Sequence, residues 1–204
     1  MRTLQEGVWF ARWWWRLESR RGYSLATAFL FAFLLLIVGG LGYRRQLLDP
    51  IQLRFFFWLV YFFSLFQGIP RPLLDRRSEE WRWIYSLVSE KGGLFGLWLY
   101  GLSLSSLLAF LLMGGSLLFW GYAPSVRESL FTGFAWAVPL LLTAFITKRV
   151  EASYTLTAVL VFPLCLFPLL WVTLRPEAPV LPLLILWGAE SLLYFSLGPF
   201  VWRG

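Results

Sequence analysis

The chain has 204 residues, of which 59% are hydrophobic and only 14% charged, and it carries a net charge of +7. A soluble domain cannot hide that much apolar surface, and the basic residues gather at the ends of apolar runs and not along one face, which argues for membrane orientation and against a nucleic-acid partner. With no histidine and a single Cys165 inside an apolar run, the sequence lacks the commonest general base, imidazole ligation of haem or metal, and any internal disulfide.

The first element is a charged, tryptophan-rich segment over 1–23. Trp9, Phe10, Trp13, Trp14 and Leu17 fall on one side of a helix, while Arg12, Arg16 and Arg20 repeat every four residues on another. That pattern predicts an interfacial helix with indoles at headgroup depth and guanidiniums on lipid phosphates. An anchor and a functional elbow fit it alike. No short apolar region with a small-residue cleavage site precedes the first long apolar run, so a removable signal peptide is not expected.

A bilayer core about 30 Å thick needs about 20 apolar helical residues to cross it. Six runs meet that length, over 24–42, 51–69, 94–120, 130–147, 154–174 and 180–202, within a single membrane domain of 1–204. In the second, Arg54 lies close enough to the start to snorkel to the headgroups, and Pro70-Arg71-Pro72 is expected to end the helix. The third exceeds one straight crossing, and Gly114-Gly115 offers a place to break it, although tilt also absorbs the excess. Pro139 in the fourth run, and Pro163 with Pro168 in the fifth, predict kinks or locally unwound turns.

The longest polar stretch is 71–93, where Asp75, Arg76, Arg77, Ser78, Glu79, Glu80, Trp81 and Arg82 follow in close succession. Ser78 suits an N-cap, with Glu79 and Glu80 in the first turn where the helix dipole favours acids. Trp81, Ile84, Tyr85 and Val88 then share a face. Mixed charge around an aromatic face suits docking to a partner, and an ordinary membrane-surface loop shares the pattern.

Glu190 stands near the middle of the sixth run, where a charge costs about 2.5 kcal/mol or more. It reads as part of a polar pathway or gate, or as a neutral, hydrogen-bonded acid that fixes helix packing, with packing favoured because no intramembrane Lys or Arg offers a counter-charge. For six crossings, thirteen of the eighteen Lys and Arg residues fall on the side shared by both termini, which the positive-inside rule makes cytoplasmic. No phosphate-binding loop occurs, since Ser89-Glu90-Lys91-Gly92-Gly93 has the wrong order and spacing, so the chain is not expected to hydrolyse ATP or to be an enzyme.

The order of these features resembles a family. Leu17-Glu18-Ser19-Arg20-Arg21-Gly22-Tyr23 enters the first span, Phe55-Phe56-Phe57-Trp58 opens the second, and Arg76-Arg77-Ser78-Glu79-Glu80 with Tyr85-Ser86-Leu87 follows it. The stretches 155–164 and 167–170, carrying Pro163 and Pro168, are similar to the family's proline-bearing fifth helix. The chain thus resembles the B subunit permease of the haem exporter of cytochrome c maturation. A short C-terminal end at Gly204 and the many N-terminal tryptophans depart from that pattern.

The resemblance implies an all-α, six-span permease of the ABC-2 exporter type in the bacterial inner membrane, present in two copies and embedded in lipid, with no bound cofactor of its own. A separate ABC ATPase subunit would use the ATP, and other membrane subunits would handle haem, the candidate transported species. It implies that 71–93 is the coupling segment, with Arg76, Arg77, Glu79, Glu80, Trp81 and Arg82 toward the ATPase. Trp13, Trp14, Arg16 and Glu18 would belong to the elbow helix, Glu18 anchoring it at the membrane entrance. A lipid or drug permease, and a membrane scaffold without transport, fit the same spans.

Overall fold

A computed structural model of the chain describes residues 2–21, 23–44, 49–76, 78–150, 154–174 and 179–202. These form nine helices and no strand among the described residues: α1 (Arg2–Arg21), α2 (Tyr23–Arg44), α3 (Pro50–Gly68), α4 (Pro70–Leu74), α5 (Ser78–Leu87), α6 (Glu90–Trp120), α7 (Val126–Arg149), α8 (Tyr154–Leu174) and α9 (Leu181–Trp202). Six stretches are long and apolar enough to cross a membrane, namely α2, α3 with α4, α6, α7, α8 and α9. These are the six apolar runs of the sequence, each within a few residues. The chain is therefore a multi-pass membrane protein.

The helix starts are written locally. Asp49 caps α3, accepting from the Gln52 amide at 2.7 Å while its own amide donates to the Gln52 side chain at 3.1 Å. Pro50 then occupies the first helical position, where a missing N–H costs nothing. Ser125 and Glu128 form the same reciprocal box at the start of α7. Gly121, at φ +68°, ends α6 in the left-handed conformation that glycine adopts without penalty.

Helix α3 ends at Gly68, just ahead of Pro70-Arg71-Pro72, as expected; Pro70 then begins the short α4, because proline fits a helix's first turn. Two other expectations change. Helix α6 runs unbroken through Gly114-Gly115 for 31 residues. Gly115 serves close packing instead, since a Cβ there would lie 2.4 Å from a Leu36 methyl of α2. Pro139, Pro163 and Pro168 sit inside continuous helices, so the unwound turns that were one of the two expectations for them are absent. One lost N–H is tolerated where the flanking bonds and packing hold, and the Thr143 hydroxyl adds a bond of 2.6 Å to the Pro139 carbonyl.

Helices α3 and α7 are the most enclosed spans and α9 the least. Between α3 and α7 the rings of Trp58, Tyr61, Phe62 and Trp136 pack edge-to-face or tilted at 5.6–6.3 Å. Two of their polar tips reach across to neighbouring helices: Tyr61 donates to the Ser105 carbonyl of α6 at 2.8 Å, and Trp136 to the Cys165 carbonyl of α8 at 3.1 Å. Tyr61 passes over Gly133, where no side chain fits.

The bundle has two distinct ends. At one, α1, α4, α5 and the start of α6 meet the ends of α7 and α9. At the other, the ends of α2, α6 and α8 meet the start of α3.

Candidate coupling site where the N-terminal helix meets the short helix between spans

At the first of these ends, α1 is not a free surface helix. Phe10, Trp14 and Glu18, four residues apart, form its buried stripe, while Arg12, Arg16 and Arg20 stay exposed. It lies along the first turns of α6. A Cβ on Gly96 would come within 2.8 Å of the Gly7 carbonyl, and one on Gly7 within 2.4 Å of Phe95, so these glycines let the two backbones approach. Helix α6, at about 1.5 Å per residue, is about 46 Å long against a bilayer core of about 30 Å. Its first turns supply the platform for α1. The Ser89 hydroxyl, which caps α6, donates to the Glu6 carboxylate and ties the two helix starts together.

Arg76, in the turn between α4 and α5, is the centre of the junction. Its guanidinium donates to the Glu18 carboxylate, lies 4.2 Å over the Trp14 ring and is 3.6 Å from Glu80. Glu80 in turn pairs with Arg21 at 3.0 Å. Lys148, at the end of α7, donates to the Leu74 carbonyl at 3.3 Å and to that of Arg76. Thus α1 closes on the Arg76 side chain, and α7 on the backbone of the same turn.

Burial raises the Glu18 carboxyl above its ordinary range, with the adjacent Arg76 charge pulling it back down. Burial likewise lowers the Arg76 guanidinium, which Glu18 opposes. The Arg76 Nε is buried with no hydrogen-bond partner among the described residues. A buried pair of this kind gains little net stability, although removing one partner alone is costly.

Trp81 completes the junction from α5. Its indole donates to the Leu73 carbonyl at 3.2 Å, and its ring lies 5.7 Å from Trp14, 6.1 Å from Phe145 of α7 and 6.3 Å from Trp202 of α9. Trp81, Ile84 and Val88 are all buried. Of the residues expected to face a partner, Arg76 and Trp81 instead point into the chain, because an aromatic helix face beside a bundle finds its cover within the same molecule. Glu79 remains exposed, Glu80 half-exposed, and Trp83 is 56% exposed. With Leu17, Arg21 and Ile84 these line a shallow groove of about 400 Å³. Arg77 and the side chains of Ser78 and Arg82 lie outside the described residues, and with them the cap proposed for Ser78.

In α1, which carries the residues expected of an elbow, Trp13 is half-buried with its ring tilted 53° and 5.8 Å from that of Trp83, and Arg16 is exposed. Sequence reading placed Glu18 at the membrane entrance but missed its pairing with Arg76. A signal was present: Glu18 continues the Phe10, Trp14 spacing onto the face that becomes buried, and a carboxyl on such a stripe requires a cation.

Glu190 on α9 is half-buried, and its Oε2 is enclosed with no hydrogen-bond partner among the described residues. The expected hydrogen-bonded packing acid is thus not what the structure contains at that atom. Among the described residues no three His, Cys, Asp or Glu gather as a metal site. No family model, curated protein or solved structure matches the chain.

Proposed function

We propose that this chain is the membrane-spanning subunit of an ATP-driven exporter, and that the rim formed by Glu79, Glu80 and Trp83 is where a separate ATPase subunit engages it. The observation that carries the reading is the fastening of α5. Through Arg76 it grips α1, and through Trp81 it touches α7 and α9. A push on so short a helix is passed to several spans at once, because packed helices move as units. The exposed acids and indole leave a polar and aromatic edge of the kind that anchors a protein contact.

The resemblance to the haem-exporter B subunit gives this reading its finer form. The chain would act in haem export or delivery for c-type cytochrome maturation, in two copies with an ABC ATPase and haem-handling membrane subunits. It would sit in the bacterial inner membrane with the α1 and α5 end in the cytoplasm. That is the end carrying most of the Lys and Arg residues in the sequence reading, as the positive-inside rule requires.

The test is purification of the tagged chain in mild detergent, with identification of the co-purifying subunits and assay of ATP hydrolysis with and without haem. An ATPase recovered with haem-handling membrane subunits supports the cytochrome-maturation reading. An ATPase alone favours another exporter, such as one for lipids or drugs. Reproducible absence of an ATPase from a folded preparation overturns the proposal in favour of a scaffold. Within a recovered complex, Glu79→Ala with Trp83→Ala should weaken ATPase association at least about tenfold, as interface hot spots do, while leaving thermal stability unchanged.

A further inference from the structure

The opposite end of the bundle holds a cleft of about 540 Å³ lined by Tyr43, Ile51, Leu53, Arg54, Tyr122 and Leu174 among others. Its size lies within the range of small-molecule sites, and its walls are mainly apolar. Arg54 is the one guanidinium among the described residues that line it. It stands four residues into α3, about 6 Å along the helix from Pro50.

A lone arginine there has the option of extending into the headgroups. It turns to Tyr122 instead. Its Nε donates to the Tyr122 hydroxyl at 2.9 Å, and its guanidinium carbon lies 5.8 Å from the centre of that ring. The η-nitrogens make no bond to any described residue. The phenol, having accepted from Nε, keeps its own O–H to donate. Two kinds of donor therefore stand side by side at an apolar cleft, a pairing that suits an oxyanion.

The surroundings decide what carries that oxyanion. Ile51 and Leu174 at the cleft are 66% and 67% exposed, and both sit at the ends of membrane-spanning helices. Exposed apolar side chains at that position face acyl chains just below headgroup level. A guanidinium at headgroup depth beside an apolar wall open to lipid matches one molecule in both halves, a phospholipid with an acidic headgroup.

We propose that the cleft between the ends of α2 and α8 and the start of α3 is a binding site for an anionic phospholipid, its phosphate held by Arg54 and Tyr122 and one acyl chain laid along Ile51 and Leu174. The site is separate from the α1–α5 junction and does not depend on the ATPase reading.

The test uses the full chain in nanodiscs with a phosphatidylglycerol probe carrying a diazirine on one acyl chain, mapped by peptide mass spectrometry. The wild type should crosslink at the segments bearing Ile51, Tyr122 or Leu174. Unlabelled phosphatidylglycerol should compete better than phosphatidylcholine by about fivefold, the factor that one basic residue contributes near an anionic surface. Arg54→Gln should abolish that preference, and Tyr122→Phe should reduce it while leaving the fold intact. Crosslinking elsewhere, equal competition by the two lipids in the wild type, or an unchanged preference in Tyr122→Phe and a folded Arg54→Gln would each overturn the proposal. So would displacement by a free fatty acid but not by phosphatidylglycerol.

Discussion

Glu18 and Arg76 form an ion pair across 58 residues of sequence, with side chains only 4% and 3% exposed. The two ends of this pair respond differently to removal. Arginine cannot shed its proton in a protein, so Glu18→Gln leaves a buried cation with Glu80 at 3.6 Å as its remaining carboxylate. That substitution should cost about 3 kcal/mol. Replacing both, Glu18→Leu with Arg76→Met, should recover most of the loss. Thermal unfolding followed by tryptophan fluorescence in detergent checks both, and additive losses in the double variant would mean the pair is not coupled.

The same pair gives a pH dependence of definite sign. Burial raises the Glu18 carboxyl, so the folded state binds this proton more tightly than the unfolded chain. The associated stability is full below the ordinary carboxyl range and is lost as pH rises through the folded value. In Arg76→Met the opposing charge is gone and the rise is larger. That variant should melt at a higher temperature at pH 5 than at pH 8, by more than the wild type does, and Glu18→Gln should lose this dependence. Matching profiles for Arg76→Met and wild type would sink the assignment.

Two tryptophans two residues apart should behave oppositely. Trp81 is buried against Trp14, Phe145 and Trp202, so Trp81→Ala should cost about 3–5 kcal/mol. Trp83 is exposed, and Trp83→Ala should change stability by less than about 0.5 kcal/mol. Equal melting temperatures for the two variants would contradict the inward placement of Trp81.

Glycines discriminate in the same way. An added Cβ at Gly133 would fall 1.9 Å from the Tyr61 hydroxyl, whereas at Gly114 it meets nothing within 4 Å. Gly133→Ala should destabilise by about 1–3 kcal/mol through overpacking. Gly114→Ala should be neutral or stabilise by up to about 1 kcal/mol, the helix propensity difference. Detergent melting curves of the two variants decide this.

Glu190 separates packing from transport. Its Oε2, enclosed and without a partner among the described residues, makes Glu190→Leu neutral or stabilising, since an enclosed unsatisfied polar atom is removed. If the residue serves a pathway, that stable variant should lose transport while still binding its partners. Retained transport with raised stability would leave it a packing residue.

The number and extent of the spans were legible in the sequence because each is a local property: some twenty apolar residues must become helix wherever water is absent. The two-faced helix of the N-terminal segment was legible too, since Arg12, Arg16 and Arg20 repeat on the period of a helix and all three are exposed. Continuity through Gly114-Gly115 and the prolines was not, because it rests on neighbours such as Leu36 that hold the helix from outside. Nor was the inward turn of Arg76 and Trp81. Residues in the turn between two spans read as surface until the α1 stripe of Phe10, Trp14 and Glu18 is laid against them, and a contact across 58 residues leaves no periodic trace. The sequence by itself determined which segments enter the bilayer, through the cost of burying charge and bare backbone. Only the tertiary structure decided which charges leave water together, because that depends on which helix ends meet.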